Sequence, residues 1–161
     1  MGTRVSDPGA ALDRILALLS DPILLQVGRY WRDKLPGAAL PSRASIDPVE
    51  IPHLLPYLML WDVERSPLRF RSRLIGTSIV RLAGRDATGR YLDAIDQDDA
   101  IASEFRAVVE AGLPRYQVRR AHWPNTEYTH YGRLLLPLAA DGRTVDMIFG
   151  AIIAVDSTPA G

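Results

Sequence analysis

Apolar residues first recur at helical spacing at Leu12, Ile15, Leu16 and Leu19, behind the helix-start signal Asp7-Pro8-Gly9. Ser20-Asp21-Pro22 ends that run and opens a second helix, with Leu24, Leu25, Val27 and Trp31 as its apolar side and Leu35-Pro36-Gly37 at its end. Residues 36–46 read as loop. Asp47-Pro48 then starts a short helix that Pro52 and Pro56 keep brief. Strands are predicted at 58–65 and 69–75, joined at Ser66-Pro67 as a hairpin. Helical spacing returns at Ile79, Val80, Leu82 and Ala83, and Gly84 and Gly89 interrupt it. A longer helix is predicted over 100–111, capped by Asp98-Asp99 and closed by Gly112-Leu113-Pro114. The rest is strand-like, over 115–123, 127–139 and 143–155.

Asp141-Gly142 joins the last two strands and favours a two-residue turn. That turn sets Leu138 opposite Val145, Leu136 opposite Met147 and Leu134 opposite Phe149, so one face of the ribbon is wholly apolar. The other face, with Tyr131, Arg133, Leu135 and Pro137 against Asp146, Ile148, Gly150 and Ile152, is mixed but still too apolar for water. Either the N-terminal helices or a partner subunit is expected to cover it.

A chain of 161 residues that is 47% apolar and 24% charged can bury a real core and is not of disordered composition. Its formal net charge is zero, which argues against nucleic acid or an acidic membrane as partner. Cysteine is absent, so thiol nucleophiles, disulfides and Cys-ligated zinc are excluded. No apolar run reaches membrane-spanning length and the N-terminus has no signal-peptide pattern, so a cytoplasmic location is expected.

The glycines at 76, 84 and 89 do not make a phosphate site. After Gly84 and four residues come Gly89-Arg90-Tyr91, without the lysine and hydroxyl of a phosphate loop, and dinucleotide spacing is missing. Ser72, Thr77 and Ser78 lack a nucleophile elbow. His53, His122 and His130 have no metal-ligand spacing. The acidic run Asp96, Asp98, Asp99 and Glu104 reads as a solvated helix start. Arg119-Arg120 beside Trp123 is too small a patch for nucleic acid.

The order of elements is a hairpin, glycine-punctuated short helices, one longer helix, then three antiparallel strands. It resembles the PAS domain over residues 57–155, with "RLIGT" (73–77) where the second strand turns into the first bracket helix and "AGRDATGRYL" (83–92) at the next bracket turn. The motifs Trp31, "LPSR" (40–43), "DP" (47–48), "LP" (55–56), "RSRLIGT" (71–77) and "GRDATG" (84–89) are also similar to those of small stand-alone bacterial PAS-like proteins of unassigned role.

The resemblance implies an α+β fold: a PAS-like five-stranded antiparallel sheet with a helical bracket (57–156), preceded by an N-terminal helical extension (1–56). The first strand should be central and beside the last. It implies a non-catalytic sensory or interaction module in bacterial signalling, binding a small ligand or a partner protein. The still-apolar second face of the 127–155 ribbon and the amphipathic helix 10–20 lead, independently, to the expectation of a homodimer through the N-terminal region and outer sheet face. Haem-binding members take their axial histidine from the long helix, which has none here, and flavin photosensors need a cysteine; no cofactor is named. The ligand would lie between the bracket and the sheet, against Phe70, Leu74, Leu134, Met147 and Phe149. Arg120 or His130 would be the polar anchor, and His122 shares the face of Arg120. The alternative is a small α+β enzyme with a cone-shaped apolar pocket and His122 or His130 as base.

Overall fold

The computed structural model describes residues 7–95, 99–121 and 130–155. Helix α1 (Pro8–Leu16) starts at Asp7, whose carboxylate accepts the Gly9 amide, and α2 (Pro22–Asp33) starts at Asp21, which accepts the amides of Ile23 and Leu24. Short 3₁₀ turns at Arg43–Ser45, Pro48–Glu50 and Pro52–Tyr57 lead into the sheet. The five strands are β1 (Leu58–Glu64), β2 (Arg69–Ile75), β3 (Arg115–Arg120), β4 (His130–Leu138) and β5 (Met147–Val155). They form one antiparallel sheet in the order β2-β1-β5-β4-β3. The first strand is central and beside the last, as the sequence leads one to expect. Helices α3 (Thr77–Ala83) and α4 (Ala100–Ala111), with a 3₁₀ turn at Leu92–Ala94, make the bracket over one face.

The β4–β5 pairing lies two residues from the expected register. Leu138 faces Met147, Leu136 faces Phe149 and Leu134 faces Ala151. The connection is not a two-residue turn, because polar groups capture its amides. Asp141 accepts the amides of Arg143 and Thr144, and Asp146 accepts that of Ala140. The 40–41 segment binds the same loop through Leu40 N–H to the Gly142 carbonyl and Ala139 N–H to that of Pro41. A slip of two leaves every side chain on its original face.

Those amides hold the Asp141 carboxyl below the usual carboxylate range, with the Arg143 amide the largest cause and Thr144 next. Because the folded pKa is the lower one, the turn's stabilisation is complete above the unfolded carboxylate value and is lost as pH falls through the folded value. An NMR titration is expected to place Asp141 below a model aspartate. An ordinary value would show that the amide contacts do not persist in solution.

Both faces of the sheet are interior. The wholly apolar face lies under the N-terminal segment, not under the bracket: Leu134 sits beside Gly28, Leu24 beside Gly132, and the buried Trp31 indole donates to the Pro137 carbonyl at 3.0 Å. Leu12, Leu24, Val27 and Trp31 are completely buried, each contributing at most about 1.5–3 kcal/mol. The N-terminal elements and the sheet share one hydrophobic cluster. The mixed face, for which the N-terminal helices or a partner subunit were expected, is covered instead by the bracket of the same chain.

Parity in β2 also departs from expectation. Register shifts between Leu60 and Trp61, so Trp61 faces Ser72 while Leu60 faces Leu74. This bulge puts Phe70 and Ser72 on the bracket side and Leu74 on the N-terminal side. At Gly76 the backbone passes so close to Pro56 that a Cβ would run into its carbonyl, which explains this glycine without any positive φ. Gly84 ends α3 with φ +76° and Gly112 ends α4 with φ +63°. Asp99 does not cap α4 with its side chain; its carboxylate pairs with Arg106 instead. Asp98 lies outside the described residues.

Candidate functional site

A cavity of about 100 Å³ lies between the bracket and the sheet. Met59 and Trp61 of β1, Ile75 of β2, Arg133 of β4 and Ile152 of β5 form its floor. Ile79 and Ala83 come from α3, Ile101 and Phe105 from α4, and Arg85, Ala87, Leu92 and Ile95 from the segment between. Phe105 anchors the roof, meeting Trp61 and Phe70 edge to face with ring centroids 5.3 and 5.2 Å apart. Ser72 is buried and ties β2 to the loop, donating to the Ala87 carbonyl and accepting from the Arg90 amide. That hydroxyl positions backbone.

The mixed face of the ribbon supplies the site's charge. Arg133, only 5% exposed, donates to Glu104 on α4 at 3.0 Å and to the Tyr131 hydroxyl at 3.1 Å. Glu104, 2% exposed, also accepts from Arg119 of β3 at 3.1 Å, and Arg119 donates on to the Ala100 carbonyl. Glu104 thus pins the long helix to two strands. It belongs to the packed interior, and its reading as part of a solvated acidic run is corrected. A charge in this position needs partners on both oxygens, and it has them.

The expected site residues divide. Phe70 stands behind Phe105 on the bracket side. Leu74, Leu134, Met147 and Phe149 are on the other face; Leu74 and Phe149 line a small apolar recess of about 30 Å³ beneath the 3₁₀ turns. The more apolar face is thus not the pocket face: the N-terminal helices close it, and the pocket face is the one that accommodates a charge. His130 shares a face with Leu134 as expected, hence away from the cavity, and pairs with Arg120, which is exposed at the end of β3. Neither lines the cavity, so neither is its polar anchor. His122 lies outside the described residues. Arg133, Glu104, Trp61 and Phe105 were missed. The available signal was Arg133 itself, a lone cation within the run "GRLLLPL".

Among the described residues, no three His, Asp or Glu side chains converge as a metal site, and no helix is long and apolar enough to cross a membrane. A family model described as a PAS domain matches residues 20–153. The chain belongs to the PAS domain family. PAS domains are generally sensory or signalling modules. Among solved structures, the PAS fold here is similar to a LOV protein of Rhodobacter sphaeroides (20% identity, 62% of this chain and 58% of that one, TM-score 0.50). It is also similar to a light-oxygen-voltage domain described with a flavin analogue (14% identity, 66% of this chain and 82% of that one, TM-score 0.52). The chain thus spans little more than half the length of the first of these. No curated protein matches the sequence.

The cavity does not fit a flavin in this arrangement. A cavity of roughly 150 Å³ takes one benzene ring, and the three fused rings of an isoalloxazine need well over twice the space found here.

Proposed function

We propose that this PAS domain is a non-catalytic sensor whose cavity admits a small, mostly apolar molecule and whose output passes to a partner protein in the bacterial cytoplasm. One observation carries the reading: the cavity is roofed by α4, and α4 is held to β3 and β4 through the buried Glu104. A molecule that presses on Phe105 or Arg133 therefore acts on the element that joins the bracket to the sheet. Apolar walls with a few polar groups are what small-molecule sites generally offer. With no net charge on the chain, nucleic acid is not the partner envisaged.

The test combines native mass spectrometry of protein from its own host with xenon-induced NMR shifts. Wild type is expected to show xenon shifts at Ile79, Ile152 and Phe105. Ile79→Phe should fill the space and abolish them, at an overpacking cost of about 1–3 kcal/mol. If xenon leaves those resonances unmoved in wild type, the cavity is closed in solution and the reading fails.

A further inference from the structure

Among the described residues, the charges around the cavity are unbalanced. The described lining includes two guanidinium groups, Arg133 at the buried end and the exposed Arg85, and no carboxylate. Glu104 stands just behind the wall and is shared by Arg133 and Arg119, one negative charge against two positive ones. A guanidinium has five N–H donors, and Arg133 spends one on Glu104 and one on Tyr131. The remaining wall is apolar, from Met59, Trp61, Ile79, Phe105 and Ile152.

Resting on the sensory reading above, we propose that the ligand is a short-chain monocarboxylate. Its carboxylate is held by Arg133, its short chain lies among Trp61, Phe105 and Ile152, and Arg85 attracts it from the solvent side. A planar carboxylate matches a guanidinium edge and brings the missing negative charge, whereas a cation would be repelled. Scaling from benzene in about 150 Å³, the cavity holds about four non-hydrogen atoms, the size of acetate, with propionate at the upper limit. A dicarboxylate would put its second charge against apolar side chains, and a long-chain acid does not fit. Arg133 keeps its bond to Glu104 throughout, so binding does not leave a buried charge unpaired.

The experiment measures propionate, its neutral isostere propionamide, and xenon on the full chain by NMR. Propionate is expected to bind about tenfold or more tighter than propionamide, since a hydrogen bond between charged partners outweighs a neutral one. Arg85→Gln should weaken propionate severalfold with the melting temperature unchanged. Removing Arg133 alone would leave Glu104 short of a partner, so the two are neutralised together: Arg133→Gln with Glu104→Gln should erase the preference for propionate. Equal affinities for propionate and propionamide in wild type, or undiminished propionate preference in the doubly neutralised variant, would overturn the carboxylate assignment. If xenon still enters in that case, the sensory reading stands without it. If xenon does not enter either, both fail.

Discussion

Glu104→Ala is expected to destabilise the domain by about 3–5 kcal/mol, because it leaves the buried Arg133 guanidinium without its counter-charge. For a domain of this length that is a fall in melting temperature of roughly 6–20 °C. The same argument predicts that Glu104→Met combined with Arg133→Met recovers most of the loss, since the two buried charges go together and Arg119, the other partner of Glu104, is partly exposed and reaches water. Urea denaturation of the single and double variants gives the coupling between them. A Glu104→Ala variant within about 1 kcal/mol of wild type would mean that water reaches the pair.

Trp31→Ala should be comparably damaging, at about 3–5 kcal/mol, through a cavity beneath α2 and the loss of the donor to Pro137. Its effect should also be visible elsewhere. With α2 loosened, Leu134, Leu136 and Phe149 lose their cover, so a dye that reports apolar surface should bind and β4 amides should exchange faster. Trp31→Phe keeps most of the packing and forfeits chiefly the hydrogen bond, for which about 1 kcal/mol is expected. Equal losses for alanine and phenylalanine would assign the anchoring to the indole N–H, not to its bulk.

The elements were legible because their signals are local: Asp-Pro pairs start α1 and α2, glycines with φ above zero close α3 and α4, and period-two runs mark the strands. Which face of the sheet holds the cavity was not legible. Parity tells which residues share a face but not what covers it, and here both covers come from the same chain. The more apolar face went to the N-terminal helices. The pocket face keeps Arg133, whose partner Glu104 is 29 positions away and looks like one of a series of surface acids until α4 is folded onto the sheet. The displaced β4–β5 register has the same origin, since the Asp141 side chain competes with a backbone turn that the dipeptide by itself favours. A single bulge in β2 was enough to move Leu74 to the wrong side.

The Trp31–Pro137 bond spans 106 positions of sequence, and β1, an interior strand of the sheet, finds its β5 partner no earlier. On a ribosome adding about 5–20 residues per second, the indole is synthesised roughly 5–20 s before its acceptor exists. During that interval α1 packs on α2 and β1 pairs with β2, yet the sheet-facing sides of the helices and the β5 edge of β1 lack their final neighbours. A nascent chain stalled before β5 should therefore be a strong client for holding chaperones, and one released just after Val155 should not.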